Sequence, residues 1–360
     1  MFLSISGGFL NMILLAFAIC LIISVVATPF VKKLAFKINA VDKPNDRKVH
    51  KKLMPRLGGL AIIISFFIVF SIFHPDSPYF WPIVIGAIII AITGIVDDII
   101  ELSPKYKLLA QLVATLIVVF GGAQIAYVDL PFNITLSFGY LSIPITVLWI
   151  IGVTNAINLI DGLDGLAAGV SSIALLTISG LAISLGDTFV AMIGFMLLGS
   201  TIGFLFFNFY PAKIFMGDTG ALFLGFMIGV LSVLGFKNAT LFSLIVPITI
   251  LGVPLLDTGL AIVRRILNKQ PIGKPDKYHL HHCLINLGFG HRQAVILIYL
   301  LSALFSIAAI IFTKSTMWGT TITIIALAIL IEIVVELTGI ISQNYRPLLN
   351  LIEGNNGRKK

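Results

Sequence analysis

Charged residues are scarce in this chain, and that scarcity excludes an ordinary soluble domain. Only 11% of its 360 residues are Asp, Glu, Lys or Arg, whereas 58% are hydrophobic. A soluble protein of this length needs far more charge on its surface. Long apolar runs recur along the whole sequence, and lipid accepts such runs as helices because a helix satisfies its own backbone hydrogen bonds. The composition therefore predicts an all-α, polytopic integral membrane protein.

Cysteine and early basic residues are also nearly absent. The two cysteines, Cys20 and Cys283, lie in an apolar segment and in a polar loop, so they predict no disulfide framework. A signal peptide opens with basic residues, but here Lys32 and Lys33 follow the first apolar stretch. We expect an uncleaved first helix with its N-terminus outside.

The apolar segments predict about eleven transmembrane helices and a cytoplasmic C-terminus. We expect the spans near residues 9–29, 57–73, 81–96, 108–126, 144–159, 167–185, 188–208, 219–235, 240–263, 294–313 and 318–341. The segments between them on the inner side are 30–56, 97–107, 160–166, 209–218 and 264–293, followed by the tail after residue 341. These inner segments hold 22 of the 24 Lys and Arg residues, which fixes the predicted orientation because basic loops stay in the cytoplasm. Residues 1–360 are predicted to form one transmembrane catalytic domain, with its active-site loops in the five inner segments.

The net charge of +8 follows from this topology and predicts no nucleic-acid partner. No basic stripe interleaved with aromatic residues is present, and a polybasic inner face is what a membrane protein requires. The basic loop from Asp42 to Arg56, which includes Lys48, has two interpretations. It either reflects topology alone or holds an anionic headgroup or phosphate.

Acidic residues collect at the predicted inner ends of the spans. Asp97 and Asp98 are adjacent at an apolar helix end, where two carboxylates repel each other unless a cation lies nearby. The alternative is a helix-end pair solvated at the interface and helped by Lys105 and Lys107. Asp218 lies between glycines before the eighth predicted span, and it is either a helix N-cap or part of a site with the other acids.

A stretch of amides and acids follows the fifth predicted span. Asn155 and Asn158 are three residues apart and share one face of a helix. The Asp-Gly pairs at Asp161 and Asp164 then break that helix. One Asp-Gly is simply a favoured turn, but two of them beside paired amides exceed what a turn requires. This stretch predicts a ligand or metal site.

The long inner loop at 264–293 carries side chains suited to phosphate. Arginine and protonated histidine donate hydrogen bonds to a diphosphate, and arginine does so in pairs. Membrane topology explains the arginines but not a cluster of histidines. A zinc site stays an alternative because Cys283 follows the cluster, although the spacing is not that of a helical zinc pair. The residues concerned are Arg264, Arg265, His279, His281 and His282.

Together these groups predict metal-assisted phosphoryl transfer at the inner leaflet. Oxygen donors from Asp and Asn suit Mg²⁺, with Mn²⁺ as the alternative ion, and such ions bind mainly where phosphates complete their shell. No P-loop pattern occurs, which argues against nucleotide hydrolysis of that type.

The motifs resemble those of the polyprenyl-phosphate N-acetylhexosamine-1-phosphate transferases. That family carries an aspartate pair, an N-A-I-N-L-x-D-G-x-D-G-L stretch, a G-D-T-G segment and an H-x-H-H loop in this order. Here they are residues 97–98, 155–166, 217–220 and 279–282, and the resemblance covers roughly residues 30–295. It implies a multi-pass enzyme of the bacterial cytoplasmic membrane that transfers a sugar 1-phosphate from a UDP-sugar to a polyprenyl phosphate and releases UMP.

Within that family the chain looks most like the branch that uses UDP-GlcNAc and undecaprenyl phosphate to start wall teichoic acid linkage units. The segment from Ala40 to Gly59 carries this impression. The branch that takes UDP-MurNAc-pentapeptide usually has three consecutive histidines, and Leu280 interrupts that run here. Transfer from UDP-MurNAc-pentapeptide is the alternative. Because dimers are common in the family, the resemblance also raises the expectation of a homodimer.

By resemblance, Asp218 looks like the principal Mg²⁺ ligand and Asn158 like a second one. Asp164 corresponds to the position that recognises uracil, and Asp97 is the candidate base for the lipid phosphate, supported by Asp98. The predicted catalytic residues are Asp97, Asp98, Asp161 and Asp218. The predicted substrate-binding residues are Lys48, Arg56, Asn155, Asp164, Arg264, Arg265, His279, His281 and His282.

A lipid or sugar transporter is the main alternative from another class of protein. Transporters place ionisable residues near the middle of the bilayer, whereas most acids here lie at the predicted inner edge. Asp257, Glu332 and Glu336 are the exceptions, and the sequence offers no role for the two glutamates beyond bundle packing or an interfacial position. A non-catalytic scaffold would leave the clusters of acids and amides unexplained.

Overall fold

The computed structural model of the chain is almost entirely helical. It describes residues 7–42, 53–130, 134–236, 245–271, 278–315, 317–341 and 345–356. The helices are α1 (Gly7–Lys37), α2 (Gly59–Phe73), α3 (Phe80–Ile100), α4 (Pro104–Phe120), α5 (Ser142–Leu159), α6 (Leu166–Leu185), α7 (Thr188–Asn208), α8 (Gly217–Phe236), α9 (Ile245–Ile250), α10 (Gly252–Leu267), α11 (Leu280–Asn286), α12 (His291–Lys314), α13 (Met317–Thr338) and α14 (Pro347–Asn356).

Two short antiparallel hairpins interrupt the helices. Strand β1 (Val41–Asp42) pairs with β2 (Met54–Pro55), and β3 (Tyr127–Leu130) pairs with β4 (Ile134–Ser137). The second pair forms a short hairpin between α4 and α5. The first pair closes the basic loop and leads into α2.

Helix α8 lies at the centre of the bundle, with α3 and α5 packed along it. All its residues from Thr219 to Phe236 are buried. Glycines make this packing close: a Cβ atom at Gly225 would lie 2.7 Å from the Cα atom of Thr154 on α5. Small residues at a helix contact let two backbones approach in this way. The residues at the start of α8 are therefore held in a fixed relation to the ends of α3 and α5.

The composition of the helices confirms a helical, multi-pass membrane protein. Eight of the described helices are long and apolar enough to cross a bilayer. They are α1, α3, α5, with its preceding turn from Gly139, α6, α7, α8, α12 and α13 from Trp318. Helix α2 is apolar but has only 15 residues. The count of eleven spans and the orientation of the chain stay predictions.

The ninth predicted span, residues 240–263, is wrong as a single helix. It consists of α9 and α10, which meet at Leu251, while residues 237–244 lie outside the described residues. Pro254 explains the break because it has no N–H to donate to the carbonyl of Ile250, four residues earlier. The hydrophobic run does not reveal this interruption, because proline is tolerated within apolar membrane segments.

Candidate active site

The segment that leads into α2 runs beside the segment that leads into α8. The amide of Phe215 donates to the carbonyl of Pro55 at 2.8 Å, and the amide of Gly59 donates to the carbonyl of Met216 at 2.8 Å. The two chains are close enough that a Cβ atom at Gly59 would lie 2.0 Å from the backbone nitrogen of Gly220. This pairing carries Arg56, a predicted substrate-binding residue, to the start of α8.

The buried carboxylate of Asp98 anchors the first turn of α8. One oxygen accepts hydrogen bonds from the backbone N–H and the hydroxyl of Thr219, at 3.0 and 2.6 Å. The other accepts from the backbone N–H of Asp218 at 3.0 Å and from Nε of Arg56 at 3.1 Å. A helix leaves its first N–H groups without partners, and Asp98 supplies these partners from another helix. Gly217 is required here: its φ is +71°, and a Cβ atom would lie 2.4 Å from Asp98 Oδ2.

These contacts indicate a positioning role for Asp98. A carboxylate has about four lone-pair sites, and the four bonds occupy all of them. Asp98 holds the backbone of Asp218 and the guanidinium of Arg56 in place. Its predicted supporting role therefore corresponds to fixing these two neighbours.

Asp97, Lys107 and Asp218 form a chain of charges beside Asp98. Nζ of Lys107 lies 2.7 Å from Oδ2 of Asp97 and 2.6 Å from Oδ2 of Asp218. The other oxygen of Asp97 accepts the N–H of Leu102 at 2.8 Å. The Asp97 side chain is buried, whereas those of Lys107 and Asp218 are 26% and 23% exposed. The lysine therefore ties the end of α3 to the start of α8 at a partly open surface.

The loop between α5 and α6 carries the two Asp-Gly pairs to the same end of the bundle. Burial, together with the nearby carboxylates of Asp218 and Asp98, raises the pKa of Asp161 to about 8. At neutral pH this side chain holds its proton in the absence of a bound cation. One Asp164 oxygen accepts the N–H of Ala212 at 2.9 Å, which fastens this loop to the segment before α8.

The two predicted amides have different surroundings. Nδ2 of Asn155 donates to Oε1 of Gln111 on α4 at 2.7 Å and to the carbonyl of Ile151 at 2.8 Å. Asn155 thus joins α4 to α5 through a pair of amides, and its substrate-binding role stays a prediction. Nδ2 of Asn158 is buried, and no group in the described part of the chain bonds to it.

The histidine segment reaches the Asp-Gly loop through α11. Burial, together with the neighbouring His282, lowers the pKa of His281 to about 3, so the ring is neutral at physiological pH. Its Nε2 lies so close to Gly162 that a Cβ atom there would be only 2.4 Å away. The ring of His282 lies 4.2 Å from that of His281, centroid to centroid. Because glycine has no β-carbon, position 162 leaves room for the His281 ring.

Buried Asp257, on α10, fixes the start of the histidine segment. One of its oxygens accepts the N–H of Leu280 at 2.7 Å, and the other lies 2.9 Å from Nδ1 of His279. Because a carboxylate only accepts, Nδ1 of His279 carries a proton and Nε2 is left for another partner. The helix between residues 280 and 286 is thereby held against α10.

Three predicted substrate-binding residues are not placed at the start of α8: two lie on α10, and one lies outside the described residues. Nη1 of buried Arg264 donates to the carbonyl of Ile340, and its guanidinium lies 5.3 Å from the Tyr278 ring. Those contacts join α10 to the end of α13. Arg265 follows on the same helix, and Lys48 lies outside the described residues. The phosphate-binding role of these three residues stays a prediction.

The side chains at the start of α8 fit an oxygen-bound divalent cation. The carboxylates of Asp97, Asp98, Asp161 and Asp218 face two cations, Arg56 and Lys107, which leaves a net charge of −2 when every carboxyl is ionised. Within the described ranges no three Asp, Glu, His or Cys side chains close on one point. Mg²⁺ binds in such places through one or two carboxylates and completes its shell with water and phosphates.

The amide of Asn158 also fits such an ion. Its oxygen and nitrogen are assigned only from their partners, and turning the amide would present an oxygen where a buried nitrogen now has no bond. The roles of Asp218 and Asn158 as metal ligands stay predictions.

Sequence reasoning did not place three of the polar residues that build this region. Lys107 was expected only as a neighbour that eases the charge of Asp97 and Asp98, whereas it also contacts Asp218. His291, from the same inner loop as the other histidines, accepts the N–H of Asp164 at 2.9 Å through Nε2. Asp257 gave a usable signal because an ionisable residue within an apolar span marks a functional position.

The fold and the site together define a helical membrane protein whose polar chemistry is concentrated at one end of its central helix. The family model of Glycosyl transferase family 4 matches residues 80–236, which is the part of the chain from α3 to α8.

Curated relatives extend this match over almost the whole chain. A probable undecaprenyl-phosphate N-acetylglucosaminyl 1-phosphate transferase of Bacillus subtilis is 48% identical over 93% of this chain and 94% of its own length. A decaprenyl-phosphate N-acetylglucosaminephosphotransferase of Mycolicibacterium smegmatis is 36% identical over 88% of this chain and 86% of its own. A phospho-N-acetylmuramoyl-pentapeptide-transferase of Halalkalibacterium halodurans is 30% identical over 83% and 95%. The chain belongs to glycosyl transferase family 4, among the polyprenyl-phosphate hexosamine-1-phosphate transferases.

Proposed function

We propose that this protein transfers GlcNAc 1-phosphate from UDP-GlcNAc to undecaprenyl phosphate and releases UMP. The product, undecaprenyl-diphospho-GlcNAc, would begin a cell-envelope polymer, with wall teichoic acid as the proposed pathway. The Bacillus relative supports this choice, since its name specifies both the lipid carrier and the sugar and it matches 93% of the chain at 48% identity. Two relatives named for the muramoyl-pentapeptide substrate are 30% identical, against 48% and 36% for the Bacillus and Mycolicibacterium relatives named for N-acetylglucosamine.

One observation about the site carries the proposal. The carboxyl groups at the ends of α3 and α5 and at the start of α8 exceed their cationic partners by one negative charge while Asp161 holds its proton, and by two once Asp161 ionises. A diphosphate would add still more negative charge, so the site requires a divalent cation before the substrate can bind. Transporters place such ionisable groups near the middle of the bilayer, whereas this cluster lies at the end of α8.

The transfer is a direct displacement at phosphorus. An oxygen of the lipid phosphate attacks the β-phosphorus of UDP-GlcNAc, and the bond from that phosphorus to the oxygen bridging the two phosphates breaks. The bridging oxygen leaves with UMP, and the sugar keeps its phosphate. A phosphate monoester with a second pKa near 6 is mostly dianionic at neutral pH, so the nucleophile needs little help from a base. Asp97, already paired with Lys107, contributes mainly through its charge.

Each part of the site has a proposed task. A bound Mg²⁺ would neutralise the diphosphate and polarise its phosphorus. Asp218 and Asn158 hold that cation, and Asp98 fixes the backbone of Asp218. His281 and the Asp-Gly loop support each other beside the sugar nucleotide. Because most Lys and Arg residues lie in the predicted inner segments, we place this site at the cytoplasmic face.

The test is UMP release by the purified full chain in detergent. We expect UMP with UDP-GlcNAc, undecaprenyl phosphate and Mg²⁺ together, and none when either substrate or the cation is omitted. Asp218→Asn should abolish release, and Asp76→Asn, an exposed carboxylate in the loop after α2, is the matched control that should keep it. Turnover with UDP-MurNAc-pentapeptide alone would move the sugar assignment. Folded protein that releases no UMP from any UDP-sugar would contradict the enzyme proposal and favour a transporter.

A further inference from the structure

Lys107 occupies an unusual position for a lysine. It lies in the first turn of α4, which begins at Pro104 and carries no acidic residue in that turn. The N-terminus of a helix bears a partial positive charge, which repels a cation. The structure shows which groups compensate for this repulsion at Lys107.

Two carboxylates from other helices hold the Lys107 ammonium. Its nitrogen lies 2.7 Å from Asp97 and 2.6 Å from Asp218. Asp218 is the residue to which the proposed function assigns the divalent cation. The ammonium already occupies one oxygen of that carboxylate, and its positive charge opposes a divalent cation bound beside it.

Arg56 does not occupy an equivalent position. Its Nε lies 3.1 Å from Asp98, and its Nη1 lies 3.5 Å from the exposed carboxylate of Glu101. Asp98 has all its lone pairs engaged, so this guanidinium belongs to the fixed frame of the site. The Lys107 side chain, by contrast, is 26% exposed and ends a flexible four-carbon stem.

We propose that Lys107 is an intramolecular counter-cation that occupies the divalent-cation position in the metal-free protein and leaves it when the metal binds. This inference rests on the proposed function, because it takes Asp218 to be the metal ligand. In the metal-free state the ammonium relieves the repulsion between Asp97 and Asp218 and keeps α3, α4 and α8 assembled. The protein gives up some metal affinity in exchange for this stability.

Binding of Mn²⁺ measures the competition directly. The purified full chain is titrated with Mn²⁺, and free Mn²⁺ is followed by electron paramagnetic resonance without any substrate. Lys107→Met and Lys107→Gln remove the competing charge, and we expect each to bind Mn²⁺ about two- to fivefold more tightly than the wild type. Lys107→Arg keeps the charge and should keep the wild-type affinity. Lys105→Met, an exposed lysine two residues earlier, is the matched control.

Thermal unfolding supplies a second measurement. In EDTA, Lys107→Met should melt below the wild type because two carboxylates then face each other without a cation. Saturating Mn²⁺ should close that gap, since binding to the folded state raises its stability. Lys107→Gln can still donate hydrogen bonds, and it keeps the experiment interpretable if Lys107→Met does not fold.

The outcomes separate this inference from the proposed function. Unchanged or weaker Mn²⁺ affinity in folded Lys107→Met and Lys107→Gln would overturn the counter-cation. Asp218→Asn should lose Mn²⁺ binding, and if it binds as tightly as the wild type, the metal assignment within the proposed function is wrong. Loss of binding in Asp218→Asn without tightening in the Lys107 variants would keep the metal site and reject the role of Lys107.

Discussion

Replacing Asp98 with asparagine tests how the start of α8 is held. The substitution keeps the size and shape of the side chain but changes one carboxylate oxygen into an NH₂ group. In the structure each oxygen faces two donors: the N–H and hydroxyl of Thr219 on one side, and the N–H of Asp218 and Nε of Arg56 on the other. Whichever way the new amide turns, its NH₂ group faces two donors.

The expected cost follows from those contacts. Two hydrogen bonds to a charged acceptor are lost, each worth about 1.5–3 kcal/mol, and the part-buried guanidinium of Arg56 loses its ion pair with Asp98 while keeping the 3.5 Å contact with exposed Glu101. Removing one member of a buried ion pair costs about 3–5 kcal/mol, so we expect a loss of about 3–5 kcal/mol in the free energy of unfolding. At about 1.3 °C for each kcal/mol in a chain of this length, the melting temperature should fall by about 4–7 °C.

Tryptophan fluorescence during heating of the detergent-purified protein measures this change, and UMP release measures its effect on the site. Asp187→Asn is the matched control because Asp187 caps α7 through a single hydrogen bond, from the N–H of Val190 at 3.0 Å, and asparagine caps helices equally well. If Asp98→Asn melts as close to the wild type as Asp187→Asn does, the anchoring role of Asp98 is refuted.

Three further perturbations test other parts of the structure. Gly162→Ala should lower activity by up to about a hundredfold because its Cβ displaces the His281 ring. Gly152→Ala, which has open space around it, is the control and should stay active. Equal activities of the two variants would contradict the contact between Gly162 and His281. Because the folded-state pKa of Asp161 is raised to about 8 from 3.8, its contribution to stability is greatest in acid and is lost as the pH rises toward 8. The melting temperature of metal-free protein should therefore decline from pH 4 to pH 8, and Asp161→Asn should flatten that decline; an unaltered slope would count against the raised pKa. Glu336→Gln should speed hydrogen exchange in α14, whose first N–H groups this carboxylate accepts at 2.6 and 2.8 Å, without altering UMP release.

Much of this site could be predicted from the sequence because the reacting residue types are few in an apolar chain. Carboxylates, amides and histidines at the ends of apolar segments are conspicuous, and the charge asymmetry of the loops places them on one side. The structure brings the aspartate pair, the Asp-Gly loop, the Gly-Asp-Thr-Gly segment and the histidines to one end of α8. It does so through the Asp98–Thr219 bonds and the contact between His281 and Gly162.

The division of labour within the site could not be predicted, because it depends on which partners the fold supplies. Asp97 and Asp98 are adjacent residues of the same type, so the sequence does not distinguish them. In the structure, both oxygens of Asp98 accept hydrogen bonds from Asp218, Thr219 and Arg56, whereas Asp97 shares Lys107 with Asp218. Asn155 resembles a ligand by its spacing but is bonded to Gln111, which lies on a different helix. Such pairings arise between distant segments and leave no local pattern.

The two intramembrane glutamates show the same limit. The sequence offered no role for Glu336, whereas the structure shows its carboxylate capping α14 through the N–H groups of Leu348 and Leu349. Glu336 lies only 12 and 13 residues before the two N–H groups that it accepts. No hydrophobic periodicity in the sequence links α13 to α14, so the contact could not be predicted.

The central claim is that a sugar phosphate, and not the sugar alone, moves to the lipid. UDP-GlcNAc radiolabelled at its β-phosphorus decides this directly when it is incubated with the protein, Mg²⁺ and undecaprenyl phosphate, and the lipid is then extracted. The account predicts that the label enters the lipid fraction in a one-to-one ratio with released UMP, and that Asp218→Asn prevents both. Label that stays in water-soluble UDP while the sugar reaches the lipid would contradict transfer at phosphorus.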